Sequence, residues 1–117
     1  MQSFVSQLER LPRFHVRLGK LAYRGERADG SPIFVQKRVD IMLGVDLTLV
    51  ASKHQISTAI LVAGDSDLLP AVEIARNEGV LVHLVHGPNP HRELWDRCDE
   101  RTLISQTLID RVRRPAE

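Results

Sequence analysis

Two acidic residues, two positions apart, stand where an apolar run gives way to a helical pattern. They are Asp65 and Asp67, within residues 63–70 (AGDSDLLP), directly after the apolar run at 58–63. Carboxylate oxygens are hard ligands that suit Mg²⁺ or Mn²⁺. A structural interpretation is equally open: Ser66 or Asp67 would cap the helix, and Asp65 would shape the turn.

A second pair of carboxylates interrupts an otherwise apolar helical segment. Asp40 and Asp46 lie six positions apart within residues 36–51, which separates them by about 120° around a helix. They cannot share one narrow stripe, but both could border a broad cleft. Half-buried carboxylates are costly unless they are paired or bound to a cation. The alternative is that Asp40 is a first-turn acid favoured by the helix dipole and that Asp46 is exposed.

The hydrophobic pattern predicts the elements that would position these acids. The residues 25–32 and 87–90 are rich in turn formers and are predicted loops, and Gly79 is a helix stop. Helices are predicted over 2–11, 36–54, 68–78, 91–97 and 105–112, and strands over 14–23, 58–63, 80–85 and 102–104. This alternation indicates an α/β fold with a mainly parallel sheet, in which ligands bind at the carboxyl ends of the strands.

Composition and charge set limits on the class of protein. The 117 residues suit one domain, residues 1–117, and no apolar run is long enough for a membrane span. The single cysteine, Cys98, excludes an internal disulfide and fits a cytoplasmic protein. Residues 1–38 hold eight Lys or Arg against three acids, and residues 39–117 hold eight against twelve. A basic rim beside an acidic pocket suits a nuclease, but charge alone favours an ordinary solvated surface whose charges happen to segregate.

Together, the two acidic segments resemble the NYN family, the LabA-like branch of the PIN-like nucleases. The shared pattern is a helix with K-x-V-D-x-x-L-x-x-D, followed by an apolar strand that ends in G-D-S-D-L-x-P. In this chain the matching residues are Lys37, Val39, Asp40, Leu43, Asp46, Gly64, Asp65, Ser66, Asp67, Leu68 and Pro70. The resemblance covers roughly residues 14–110. It implies a Rossmann-like (PIN-like), mainly parallel sheet with helices on both faces.

The resemblance also implies a function and a set of site residues. The expected activity is that of a metal-dependent endoribonuclease that hydrolyses RNA, with single-stranded RNA as the partner and Mg²⁺ or Mn²⁺ as the cofactor. Asp40, Asp46, Asp65 and Asp67 carry over as catalytic residues, of which Asp40, Asp65 and Asp67 are the metal ligands. Lys37, Arg38 and Ser66 are expected to bind the substrate phosphate.

One departure from the family pattern opens an alternative. Family members begin with a strand that ends in an aspartate, and nothing in residues 1–13 resembles it. We expect that strand between the strand at 14–23 and the strand at 58–63, so its absence leaves a gap that a second chain, as in a homodimer, could fill. A catalytically degenerate module that binds RNA or a protein is therefore the main alternative. A phosphotransfer or phosphatase module is disfavoured, because the Asp65–Asp67 pair follows a late strand with no suitable lysine or threonine after it.

Overall fold

The structure is a computed structural model that describes residues 2–115, and it contains two compact units. The first unit runs up to Met42 and the second begins at Leu43. The boundary falls within the first turn of one continuous helix, α2 (Val39–Ser52), which we describe as a single element together with the second unit.

The first unit consists of helix α1 (Gln2–Glu9) and an antiparallel hairpin. Strands β1 (Lys20–Glu26) and β2 (Pro32–Lys37) pair with each other, and the register shifts between Tyr23 and Glu26. The rings of Tyr23 and Phe34 contact each other across the pair, with centroids 5.9 Å apart. In the connecting turn, Asp29 Oδ1 accepts hydrogen bonds from the backbone N–H of Ser31 at 2.9 Å and from its hydroxyl at 2.6 Å.

The hairpin corrects two sequence-based predictions. The strand predicted over 14–23 begins only at Lys20, and it pairs in a separate two-stranded sheet rather than in the parallel sheet. Pro32 was predicted in a loop and residues 36 and 37 in a helix, but residues 32–37 form β2. The physical reason is that a polar five-residue turn joins two short strands. When these strands pair, the backbone N–H and C=O groups of each find hydrogen-bond partners in the other.

Gly19, just before β1, is required by close packing. A Cβ at this position would lie 2.6 Å from the carbonyl oxygen of Lys37 and would collide with Cγ2 of Val39. Only glycine lets the chain pass this close to the end of β2.

The second unit contains a three-stranded parallel sheet in the order β3-β4-β5. In chain order, the elements that follow α2 are β3 (Thr58–Val62), a 3-10 turn (Ser66–Leu68), α3 (Leu69–Asn77), β4 (Leu81–His86), α4 (Arg92–Arg97), β5 (Glu100–Leu103) and α5 (Gln106–Val112). The prediction of an α/β fold with a parallel sheet flanked by helices is confirmed. The last strand starts two residues earlier than predicted.

The hydrophobic core lies on one face of this sheet. Strand residues Leu61, Val82 and Leu84 are buried there. The other core residues come mainly from the helices and the turns beside them: Leu47, Ala51, Leu68, Ala71, Val72, Ala75, Val80, Leu94 and Cys98. Residues that alternate with Leu61 along β3 point the other way: Ile60 is 72% exposed and Val62 is 64% exposed. No strand in the described part of the chain pairs with the free edge of β3.

Helix α3 ends as the sequence predicts, at a glycine in the left-handed region. Gly79 has φ +86°, and its N–H donates to the carbonyl of Arg76 at 3.0 Å. The N–H of Val80 donates to the carbonyl of Ala75 at 2.9 Å, which completes a Schellman motif. The chain then turns directly into β4. No helix within residues 2–115 has the length and apolar character to cross a bilayer.

Candidate metal centre

The turn after β3 is shaped by Asp65. This residue has extended backbone angles (φ −93°, ψ 131°), and its Oδ1 accepts a hydrogen bond from the backbone N–H of Asp67 at 3.0 Å. Asp65 is therefore the N-cap of the 3-10 turn. The prediction that Ser66 or Asp67 caps the following helix is wrong, because Leu68 is the N-cap of α3 and no side-chain hydrogen bond caps it. Leu68, which is 2% exposed, anchors the turn in the core.

The same turn is attached to the start of α4. The carbonyl oxygen of Gly64 accepts a hydrogen bond from the N–H of His91 at 3.0 Å. A Cβ at Gly64 would lie 3.8 Å from Cα of Pro90, so the two segments run close together. The backbone on either side of Asp65 is thus held at both ends, by Gly64 and by Leu68.

Helices α2 and α3 pack against each other within the second unit. A Cβ at Gly44 of α2 would lie 3.7 Å from Cβ of Ala71 on α3, so the two helices approach closely at this point. Asp40 lies one helical turn before Gly44, and Asp67 lies four residues before Ala71. Each of the two contacting residues, Gly44 and Ala71, is therefore preceded by an aspartate four positions earlier in the chain.

Three carboxylates converge at this point. One oxygen each from Asp40, Asp65 and Asp67 lies within 4.8 Å of the others, and all three residues are exposed. Two oxygens that bind one Mg²⁺ at about 2.0–2.1 Å can be at most about 4.2 Å apart, so only small side-chain adjustments would be needed. Three negative charges this close repel one another, and a cation relieves that repulsion. The donor set, which consists of oxygen alone, suits Mg²⁺ or Mn²⁺.

The other residues singled out in the sequence lie at defined positions. Asp46 is half-buried on α2 and is not a member of the three-carboxylate group. Ser66 is half-buried and directly follows Asp65. Lys37 ends β2, and Arg38 joins it to α2 with φ +76°, a left-handed conformation that is uncommon for a residue with a side chain. The carbonyl of Arg38 accepts a hydrogen bond from the N–H of Met42 at 2.9 Å.

A cavity beside Asp65 was missed by sequence reasoning. It has a volume of about 400 Å³, and its lining includes Gly64, Asn89 and Pro90. The segment 87–90 was predicted only as a loop. The signal that could have identified it is its position after β4, because the loops that follow parallel strands gather at the ligand-binding edge of the sheet.

Comparison with known proteins identifies the family of this chain. The NYN domain family model matches residues 1–105, and the chain belongs to the NYN domain family, which has a nuclease-type fold. The uncharacterized protein y4oD of Sinorhizobium fredii is 44% identical over 57 residues. That match covers 49% of this chain and 26% of the relative, so the chain spans about a quarter of the length of that relative. No solved structure matches the chain.

Proposed function

We propose that this protein is a metal-dependent endoribonuclease that hydrolyses phosphodiester bonds in single-stranded RNA. The observation that carries this proposal is the convergence of Asp40, Asp65 and Asp67, each with an oxygen within 4.8 Å of the others. The acids come from two separate segments of an NYN domain. A purely structural role for Asp65 as a cap would not explain why Asp40 lies beside it.

These three aspartates would hold Mg²⁺ or Mn²⁺. Such an ion, when bound, lowers the pKa of a water molecule and neutralises negative charge that develops on the phosphate. The hydrogen bond from the Asp67 N–H fixes the orientation of the Asp65 carboxylate, as partners of metal ligands commonly do. Because all three acids are exposed, the site is open to a substrate phosphate.

Three further residues are proposed to bind the phosphate. The hydroxyl of Ser66 is adjacent in sequence to Asp65, and Lys37 and Arg38 directly precede the helix that carries Asp40. Hydrogen bonds from cationic side chains to phosphate are stronger than those between neutral groups. The net charge of +5 over residues 1–38 would attract RNA toward an otherwise acidic chain. Asp46 stays a catalytic residue by prediction from the sequence alone.

A cleavage assay tests the proposal. The full chain would be incubated with end-labelled single-stranded RNA, or with DNA of the same sequence, in Mn²⁺, in Mg²⁺ and in EDTA. We expect cleavage of RNA that EDTA abolishes and that is lost in Asp65→Asn. Asp96→Asn is the matched control, because Asp96 is an exposed acid on α4 outside the cluster. Cleavage that persists in Asp65→Asn or in EDTA contradicts the proposal, and RNA binding without cleavage supports the degenerate alternative.

The setting of this activity follows from two further features. We propose that the protein acts in the cytoplasm, where its free and buried Cys98 thiol stays reduced.

We also propose that two chains associate along the free edge of β3, whose sequence TAILV has no charge and no proline to prevent strand pairing. Light scattering at several concentrations should give the mass of a dimer, and Ile60→Lys should shift it to that of a monomer. A monomeric mass at every concentration contradicts this association.

A further inference from the structure

The cavity next to the metal centre lies at the carboxyl ends of all three parallel strands. Its apolar lining includes a residue at or just beyond the end of each strand: Val62 ends β3, Val85 lies near the end of β4, and Ile104 follows β5. The N–H of Ile104 donates to the carbonyl of His86 at 2.8 Å, which holds Ile104 beside the end of β4. The volume of about 400 Å³ lies within the range of about 300–1,000 Å³ that is typical of small-molecule sites.

The lining of the cavity selects for a particular chemistry. Asn89 has the only polar side chain among the lining residues, none of which is charged. No hydrogen bond to the Asn89 side chain occurs within the described part of the chain. Pro88 and Pro90, on either side of it in the chain, add to the apolar lining. Such a lining disfavours a phosphate and suits a flat group with apolar faces and a hydrogen-bonding edge, which describes a nucleobase.

The cavity adjoins the segment that carries two of the three carboxylates. Gly64 lines the cavity, and the next residue, Asp65, contributes an oxygen to the acidic cluster. We propose that this cavity binds the base of the nucleotide whose phosphate is cleaved, and that Asn89 forms hydrogen bonds with the edge of that base. The proposal rests on the nuclease function and adds to it a preference for particular bases at the cleaved position.

A polar groove at the opposite end of the sheet is a weaker candidate for such a role. Its volume is about 610 Å³, and its arginines already have acidic partners in the groove. Arg76 pairs with Asp99 at 3.2 Å, and Arg97 pairs with Glu73 at 3.8 Å. Their charges are therefore satisfied within the protein.

Binding of uncharged nucleosides tests the base site without the metal. Adenosine, guanosine, cytidine and uridine would each be titrated into the full ¹⁵N-labelled chain in EDTA. We expect saturable amide shifts at Gly64, Gly87 and Asn89 for at least one nucleoside, and the same shifts in Asp65→Asn. Asn89→Ala should weaken that binding by about fivefold, the effect of one lost hydrogen bond. Asn77→Ala, at the far end of α3, is the control and should bind as the wild type does.

A second variant fills the space. A Cβ at Gly87 has nothing within 4 Å, and Gly87 does not have a positive φ, so Gly87→Leu should fold and block the cavity. The absence of shifts with all four nucleosides overturns the proposal, as does equal binding by Asn89→Ala and Asn77→Ala. If RNA is cleaved but base preference is the same in Asn89→Ala and the wild type, the base site fails and the nuclease function stands. If nucleosides bind and RNA is not cleaved, the nuclease function fails and the base site stands.

Discussion

The Oδ1 atom of Asp65 accepts a hydrogen bond from the backbone N–H of Asp67 at 3.0 Å, and both side chains belong to the same three-carboxylate group. One carboxylate therefore has two roles, as a helix cap and as a candidate metal ligand. The two roles make different demands on the side chain: a cap needs an oxygen acceptor, whereas a metal ligand also needs negative charge.

Substitutions at Asp65 should separate these two roles. Asp65→Asn keeps the acceptor oxygen, so we expect the free energy of unfolding in EDTA to stay within about 0.5 kcal/mol of the wild type. Asp65→Ala removes the cap and should cost about 1 kcal/mol. Both variants should lose affinity for Mn²⁺. Urea denaturation in EDTA measures the first effect and calorimetric titration the second, and equal destabilisation by Asn and Ala would contradict the capping role.

The two aspartates of α2 should differ in their effect on metal binding. Asp40 belongs to the three-carboxylate group and Asp46 does not, although both lie on the same helix. We expect Asp40→Asn to lower the affinity for Mn²⁺ by at least about tenfold, and Asp46→Asn to change it by less than about threefold. Electron paramagnetic resonance of free Mn²⁺ provides the measurement. A loss of affinity in Asp46→Asn as large as that in Asp40→Asn would show that Asp46 also takes part in metal binding.

Asp99 should matter for stability and not for metal binding. Its Oδ2 accepts the N–H of Val82 at 2.8 Å, and its Oδ1 accepts Nε of Arg76 at 3.2 Å, near the amino end of β4. We expect Asp99→Ala to destabilise the fold by about 2 kcal/mol, because hydrogen bonds to charged groups contribute about 1.5–3 kcal/mol. Glu73→Ala should cost at most about 0.5 kcal/mol, since its exposed pair with Arg97 spans 3.8 Å. Similar unfolding midpoints for the two variants would refute this role of Asp99.

Cys98 should give the stability a dependence on alkaline pH. Burial raises the pKa of the Cys98 thiol above its ordinary value near 9.0, and Arg101 partly opposes the shift. Because the folded pKa is the higher one, this contribution is fully present below pH 9 and is lost as the pH rises through the folded pKa. Unfolding curves from pH 8 to 10.5 should therefore fall more steeply for the wild type than for Cys98→Ala. Parallel curves, or rapid alkylation of the native thiol at pH 8, would contradict the shift.

The sequence was sufficient for those parts of the fold that short-range patterns determine. The apolar run that became β3, the acidic turn after it and the left-handed Gly79 each follow from local chemistry. The β1–β2 hairpin could not be predicted as readily, because residues 33–37 are apolar at one end and continue into a helical pattern at the other. Their strand conformation depends on pairing with residues more than ten positions away.

The candidate site could likewise be predicted only in part from the sequence. The nominated ligands Asp40, Asp65 and Asp67 lie in motifs that the sequence displays, and the structure brings those three together. Whether Asp46 faces the other acids depends on how α2 is rotated about its axis. The spacing of residues in the sequence does not determine that rotation. The cavity at Asn89 forms only when the ends of three strands and the loop after β4 meet, so no short motif marks it.

We propose that Asp40, Asp65 and Asp67 together hold one divalent cation. Adding substoichiometric Mn²⁺ to the ¹⁵N-labelled full chain, and following which amide signals broaden, tests this directly. We expect the signals of residues 40 and 64–67 to broaden first and together, and EDTA to restore them. Broadening at only one of the two segments, or first at acids elsewhere such as Glu73 and Asp99, would contradict it.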